Sequence, residues 1–289
     1  MEYLIHLCIV VGIYLILAQS FNLTFGLGKL FNLAHIAVYS IGAYTTALLS
    51  TDLGYGLWVC IPASMLTSAL LALLIGAISL KLDHDYFAIG TLAFSAVVSA
   101  LLINWKSLTK GVLGITGIPR PELGAIDFYT NSNFLVLVYI LVAYVYLSLY
   151  IIFHSRFARQ LRALAEFPHA AAGLGIDIIK VRNLSFMIAS MFAGLAGSLF
   201  AYYINYIDPT SFGLHEMVFV LSIAIVGKPG SFWGVGFATV FLVLLPEPLR
   251  FIEIGPSILG PMRQLLYALI LFGVVYWKRN TLFPAERTI

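Results

Sequence analysis

The chain has 289 residues, of which 61% are hydrophobic and only 10% charged, and its mean hydropathy is +0.98. A soluble domain usually carries about 25% charged residues, so this composition excludes a soluble enzyme and indicates an integral membrane protein. The net charge of +3 is small and the basic residues flank apolar stretches, which favours orientation signals over nucleic-acid binding.

Nine apolar segments are predicted to be membrane helices. Six long stretches carry no Asp, Glu, Lys or Arg, and most approach or exceed the roughly 18–20 residues that cross about 30 Å of hydrocarbon. They are 3–21, 57–80, 86–105, 134–153, 183–204 and 264–277. Three shorter segments lie at 34–50, 212–227 and 232–245. The predicted fold is an all-α polytopic membrane protein with about eight or nine membrane segments, some short or broken, and residues 1–289 form a single transmembrane domain.

The basic residues predict the orientation. With the amino terminus outside, five of the 16 basic residues fall in outer connections, namely Lys106, Lys110, Arg120, Arg250 and Arg263. The other eleven fall inside, as the positive-inside rule expects. The carboxyl terminus is then cytoplasmic. The segments at 212–227 and 232–245 could instead form a re-entrant pair, which leaves the side of every other connection unchanged.

A short internal echo links two glycine-interrupted segments. Gly28-Lys29 precedes the short segment at 34–50, and Gly227-Lys228 precedes the one at 232–245. Short, broken segments in corresponding halves mark the substrate site of internally repeated transporters, although so few matching letters could also arise by chance. Other glycines, Gly42, Gly194 and Gly197 among them, are expected to allow close helix approach.

The connection at 154–182 is the longest cytoplasmic one. Charged residues recur there at helical spacing, at Arg156, Arg159, Arg162 and Glu166. Pro168 interrupts the predicted helix, Gly175 is placed to cap the turn that follows, and Asp177 is placed to N-cap the next span. The segment is predicted to form an amphipathic helix–turn unit on the cytoplasmic face. The alternative is an ordinary loop with orientation charges.

Several blocks of sequence occur in an order that is known from one family. They are FNLTFG at 21–26, FNLAH at 31–35, IGAY at 41–44, GITGIPRP at 114–121, RALAEFPHAAAGLGID at 162–177, FAGLAG at 192–197 and IVGKPGSFWG at 225–234. Together they resemble the permeases of branched-chain amino acid ABC importers, and 114–121 resembles a loop of the M-type subunit of the permease pair. Lys228-Pro229 stands where that family usually has glycine. His35-Ile36 also differs from the small residues that are common there. These differences leave the identity of the transported substrate open.

The resemblance implies an importer in the bacterial inner membrane. Its expected partners are a second, homologous permease, two cytoplasmic ATPases, an external solute-binding protein and the bilayer. The chain lacks the phosphate-binding motif G-x-x-x-x-G-K-[ST], so ATP and Mg are expected to bind to the ATPases. The chain itself is expected to be a transport permease rather than an enzyme, and to hold no cofactor. The expected cargo is a branched-chain or other apolar amino acid, with urea or a short amide as the alternative.

Two groups of residues are predicted to carry this function. ATPase coupling is assigned to Arg159, Arg162, Glu166, Pro168, Gly175 and Asp177, with the alanines and leucines of the helix–turn unit as the docking face. Polar residues within spans should face the bundle interior and line the path. These are Asn22, Asn32, His35, Tyr39, Thr91, Ser95 and Glu216.

Several of the path residues could instead have purely structural roles. Asn22 and Asn32 could satisfy backbone groups at a broken helix, His35 could make a local hydrogen bond, and Ser95 could pack helices together. Glu216 is the only charged residue within a predicted segment. One carboxylate disfavours an ion-driven transporter, and the six histidines lack metal-ligand spacing, which disfavours an intramembrane metalloenzyme.

Overall fold

The computed structural model describes residues 1–79, 84–123, 126–248 and 256–277. Twelve α-helices lie within these ranges: α1 (Glu2–Asn22), α2 (His35–Thr51), α3 (Leu57–Ser79), α4 (His84–Asn104), α5 (Lys106–Thr109), α6 (Asn131–His154), α7 (Arg156–Glu166), α8 (Pro168–Gly173), α9 (Ile178–Ile204), α10 (Leu214–Val226), α11 (Phe232–Leu244) and α12 (Pro256–Trp277). Nine of them match the nine predicted segments. Six helical stretches are long and apolar enough to cross a membrane, so the all-α polytopic prediction is confirmed.

Two helices begin five or more residues before the apolar runs that predicted them. α9 starts at Ile178 rather than at 183, and α12 starts at Pro256 rather than at 264. Helices continue past the apolar core of a span because long basic side chains near their ends can reach the interface. Lys180 and Arg182 therefore lie in the first turns of α9.

The core forms around α9, which packs against α1, α2 and α3. Small residues let the backbones of α2 and α9 come close. A Cβ atom added to Gly42 would overlap the backbone of Gly194, and one added to Gly197 would overlap the carbonyl of Tyr39. The expected close approach at these glycines is confirmed, and it follows the small-residue packing of membrane helices.

Two broken segments meet at the end of the molecule that carries α7 and α8, here called the α7 end. α1 continues into a π-turn at Leu23–Leu27, and α10 joins α11 through a turn at residues 227–231. The two regions touch through Gly26 and Gly230, where a Cβ built on Gly230 would lie 3.0 Å from the Gly26 carbonyl oxygen. The segments of the internal echo are thus neighbours in space.

Asn22 holds these segments together. Its Oδ1 accepts a hydrogen bond from the Gly230 backbone N–H at 2.9 Å, and its Nδ2 donates to the Ser231 carbonyl at 3.2 Å. One turn earlier, Gln19 Nε2 donates to the Phe232 carbonyl, also at 3.2 Å. These side chains tie the end of α1 to the turn between α10 and α11, and Asn22 pairs the Gly230 N–H, which lies outside both helices.

Four two-residue strands lie at the opposite end, here called the strand end. β1 (Ile115–Thr116) pairs antiparallel with β4 (Tyr206–Ile207), and β2 (Glu122–Leu123) pairs with β3 (Ile126–Asp127). Asn205, in the left-handed conformation after α9, donates to the Ile118 carbonyl at 2.6 Å. The block at 114–121 is therefore tied to the end of α9.

The outward faces of the helices are apolar. On α3, Leu66, Leu70 and Leu74 are exposed, and on α6 Ile140 and Leu147 are exposed. Side chains of this kind, repeated along a helix, are typical of contact with lipid or with another membrane helix.

Candidate translocation and coupling sites

A cavity of about 210 Å³ lies where the start of α2, the middle of α4 and the start of α10 meet. We call it the α4 cavity. Its wall is mostly apolar, and Ser95 and Ser99, one turn apart on α4, add two hydroxyl groups. The apolar lining comes chiefly from Leu33, Ile36, Leu92, Phe212, Leu214 and Met217. Such a cavity suits a small solute with an apolar side chain and few polar groups.

Three of the predicted path residues belong to this cavity or to its wall. Ser95 lines it directly. Thr91 Oγ1 accepts a hydrogen bond from the Leu33 N–H at 3.1 Å and so fixes the wall next to α2. Tyr39 is buried, and its ring packs edge-on against Phe212, another wall residue, with 5.3 Å between the ring centroids.

Asn32 and His35 lie behind the same wall and are fully buried. Asn32 Oδ1 accepts from the Ala34 N–H at 2.9 Å, and His35 Nε2 lies 3.0 Å from Ser20 Oγ. Asn32 Nδ2 and His35 Nδ1 have no hydrogen-bond partner within the described residues. Asn22 and Asn32 thus satisfy backbone groups at a broken helix, as the structural alternative expected, and Asn32 and His35 each keep one buried polar atom without a partner in the described part of the chain.

Glu216 lines a different cavity. This second cavity, of about 280 Å³, lies among α1, α10, α11 and α12 and is named the α10 cavity. Glu216 Oε2 accepts from the Tyr14 hydroxyl at 2.8 Å, and His215 Nε2 lies 3.8 Å from Oε1. Glu216 and Ser95 are therefore not brought together.

Sequence reasoning missed Glu247 and Arg263, which also line the α10 cavity. Glu247 follows α11, and Arg263 precedes the predicted start of the last segment but lies within the observed α12. The helical spacing of Arg263 and Tyr267, which share this cavity, was the available signal. No group of His, Cys, Asp and Glu that could hold a metal occurs among the described residues.

The predicted helix–turn unit is present at 154–182. Ser155 caps α7 by accepting from the Ala158 N–H at 3.3 Å, and Pro168 opens α8. Gly175 has φ +83°, in the left-handed region that favours glycine. Asp177 caps α9 by accepting from the Lys180 N–H at 3.0 Å. The predicted local roles of Pro168, Gly175 and Asp177 are confirmed.

The apolar face of α7 points inward rather than out. Ala158, Leu161 and Leu164 are buried against the rest of the molecule. The apolar side chains that face outward follow α7: Phe167 is 70% exposed and Leu174 is 84% exposed. The expectation that the alanines and leucines of this helix form a docking face is therefore wrong for α7, because those residues already pack on α9 and the π-turn.

The charged residues of this unit face outward. Arg159, Arg162 and Glu166 are exposed, and Arg162 and Glu166 line a third cavity, of about 350 Å³, between α7 and the two broken segments. The pKa of Asp177 is lowered, first because its carboxylate accepts from the Lys180 backbone N–H and then because the Lys180 side chain lies 3.1 Å away.

Comparison with known proteins identifies the family. Residues 3–275 match the family described as the permease component of branched-chain amino acid transport systems. The chain belongs to this family. It is therefore a transport permease of the membrane, as the resemblance in the sequence indicated.

The relatives that the chain matches include permeases named for different transport systems. The chain is 34% identical to the high-affinity branched-chain amino acid permease LivM of Salmonella typhimurium over 95% of its own length and 68% of the relative's. It is 32% identical to the guanosine ABC transporter permease NupQ of Bacillus subtilis, over 56% of this chain and 55% of that one. It is 25% identical to LivH of Escherichia coli, over 76% of both chains. No solved structure matches.

Proposed function

We propose that this chain is the M-type permease of an ABC importer for branched-chain or other apolar amino acids. The similarity to LivM over almost the whole chain carries the proposal. Similarity to LivH, which is named as a permease of the same kind of system, supports pairing with a second, homologous permease. The match to a guanosine permease shows that relatives serve other solutes, so the cargo is the part that most needs a test.

The α4 cavity supports an apolar amino acid as cargo. At about 210 Å³ it is smaller than the roughly 300–1,000 Å³ of sites for drug-sized ligands, and its two hydroxyl groups stand among aliphatic and aromatic side chains. In this proposal the aliphatic side chain of the solute passes along Leu33 and Ile36. Ser95, with Thr91, Asn32 and His35 nearby, meets its polar end, and Tyr39 and Asn22 act by holding the wall and the turn.

The partners follow from the same assignment. Two ATPases bind and hydrolyse ATP with Mg, and this chain contributes no cofactor. Their docking surface is the unit at 154–182, where Phe167 and Leu174 supply exposed apolar contacts and Arg159, Arg162 and Glu166 supply charge. The α7 end is then cytoplasmic and the strand end meets an external binding protein in the bacterial inner membrane.

The test is uptake by the complete complex reconstituted in liposomes. The two permeases, two ATPases and binding protein are assayed with labelled leucine, guanosine and urea, with and without ATP. We expect leucine to accumulate only with ATP. Accumulation of urea or guanosine in place of leucine would overturn the proposed cargo, and accumulation by this chain alone without ATP would overturn the coupling.

A matched pair of variants tests the α4 cavity. Ser95→Phe places a bulky ring in the cavity and should reduce leucine uptake by at least about tenfold, as a misplaced group in a tight site does. Ser148→Phe makes the same change at a partly exposed position on α6, outside the α4 cavity, and should leave uptake unchanged. Equal uptake by the two variants would remove the α4 cavity from the path.

A further inference from the structure

Two lysines in the broken segments adopt a backbone conformation in which glycine is expected. Lys29 has φ 50° and Lys228 has φ 68°, both in the left-handed region that side chains disfavour. Each follows a glycine in one of the two echoing segments, Gly28 and Gly227. Glycine would form either turn with less strain, so the turns themselves do not require lysine at these positions.

Both lysines line the same cavity, the one of about 350 Å³ between α7 and the broken segments, which we call the turn cavity. Arg162 and Glu166 line its α7 side. No carboxylate lies within 4.0 Å of Lys29, Lys228 or Arg162 among the residues that the structure describes. The cavity thus gathers three cations and one carboxylate.

We propose that the turn cavity binds a phosphate group, and specifically the headgroup of an anionic phosphoglycerol lipid in the cytoplasmic leaflet. Lysines bind phosphate as point charges, and basic pockets between membrane helices on the cytoplasmic side are typical sites for anionic headgroups. The proposal depends on the function proposed above only for the side of the membrane on which the α7 end lies.

The remaining features of the cavity favour a headgroup over the carboxylate of a partner protein. The volume exceeds what one carboxylate fills, and Glu166 can accept hydrogen bonds from the glycerol hydroxyls of a headgroup, which a carboxylate does not offer. Because Lys29 and Lys228 belong to the two turns and Arg162 to α7, one bound phosphate contacts all three segments. A lipid at this site therefore bridges the coupling unit and the broken helices.

The test measures binding without transport. The full chain in a neutral detergent is titrated with dioctanoyl phosphatidylglycerol, dioctanoyl phosphatidylcholine or inorganic phosphate, and its thermal unfolding midpoint is followed. We expect phosphatidylglycerol to stabilise the wild type. K29G/K228G keeps both turns, because glycine favours their conformation, and should need roughly thirtyfold more lipid, since each surface lysine contributes about a fivefold factor.

Two further variants are controls for an effect of the substitutions on folding. K110G removes a third left-handed lysine, at the strand end and outside the turn cavity, and should respond like the wild type. K29R/K228R keeps the charges and should retain the response to phosphatidylglycerol.

Equal responses of the wild type and K29G/K228G would overturn the proposal. A response to inorganic phosphate at the same concentrations would support a phosphate site but overturn lipid as its source. If K29G/K228G no longer retains the ATPases but responds to lipid like the wild type, the lipid proposal is overturned. Both lysines then belong to the ATPase interface. Since no uptake is measured, failure here is distinct from failure of the proposed function.

Discussion

At the scale of single residues, Asn22 has a role that joins distant parts of the chain. Its amide group pairs with the N–H of Gly230 and the carbonyl of Ser231, more than 200 residues away in sequence. An amide is suited to this task because it offers a donor and an acceptor at once. The side chain therefore closes the turn between α10 and α11 against the end of α1.

Asn22→Ala should destabilise the protein. It leaves the Gly230 N–H without its side-chain partner in a half-buried turn, which costs about 1–3 kcal/mol, while the Ser231 carbonyl still accepts from the Val235 N–H. A lowered thermal unfolding midpoint in detergent is expected. Asn104→Ala is the control, because Asn104 is exposed and bonds only to Ala100 in its own helix. An equal midpoint for the two variants would contradict the role given to Asn22.

The sequence predicts that Asn22, Asn32 and His35 are buried, but it does not predict their partners. Polar side chains within apolar runs must face the protein interior, so their burial follows from composition alone. The partners of Asn22 depend on which turn arrives beside it, and that is decided by packing of the whole chain. Glu216 shows the same limit, because its partner Tyr14 lies on α1 rather than nearby in sequence.

At the scale of elements, the unit at 154–182 has apolar side chains on two sides. The apolar face of α7 points inward, whereas Phe167 and Leu174 face outward. If Phe167 and Leu174 anchor an ATPase, Phe167→Ala with Leu174→Ala should weaken ATPase retention at least roughly thirtyfold, since truncating each anchor costs about 1 kcal/mol or more and the pair therefore about 2 kcal/mol or more. Co-purification of the ATPases with the permease pair measures this.

The control for that experiment is Leu113→Ala at the strand end. Leu113 is 82% exposed, so the change removes a comparable apolar side chain far from α7. It should leave ATPase retention as it is. If the Phe167 and Leu174 variant also keeps full retention, the docking surface lies elsewhere on the molecule.

The cap of α9 should respond to acid. The pKa of Asp177 is lowered by hydrogen bonds from Lys180, so the cap is fully formed above the ordinary carboxyl pKa of about 4. Its contribution is lost as the pH falls through the lowered value. Hydrogen exchange at 178–181, corrected for intrinsic rates, should therefore quicken on acidification. Asp177→Asn keeps an accepting oxygen and should remove this pH dependence; an identical profile in both proteins would contradict the assignment.

Local signals predicted the shape of this unit but not its outward face. Pro168, Gly175 and Asp177 act through backbone conformation and capping, which depend on near neighbours in sequence. The direction of Leu161 and Leu164 depends instead on what lies beside α7. Since the π-turn of α1 and the start of α9 occupy that side, the apolar stripe of α7 is already covered.

At the scale of the whole molecule, the two ends differ in a way that labelling can test. Cys8 is replaced by Ala to remove the exposed native thiol, while Cys60 is buried. A cysteine at Ser107 tests the strand end and one at Gln160 tests the α7 end, since both positions are exposed. An impermeant thiol reagent added to intact cells should label the first and not the second. Labelling of both from outside would refute the proposed orientation.

The number and order of the membrane helices were predictable because each apolar run carries its own signal. The meeting of the two broken segments was not predictable, since the Gly-Lys pair shared by 28–29 and 227–228 says nothing about distance in space. Nor was the division into separate cavities, which separates Ser95 from Glu216 although both are polar residues within apolar segments.

The hairpin of α10 and α11 has a consequence for how the protein is made. α11 has 13 residues and is about 20 Å long, too short to be held across the bilayer by its own hydrophobic length, and α10 reaches a spanning length only together with the residues from Pro209 that precede it. The pair is therefore expected to take its final place only when its turn docks on Gln19 and Asn22 of α1, which is made first. Biogenesis is therefore expected to finish by docking rather than by simple sequential insertion.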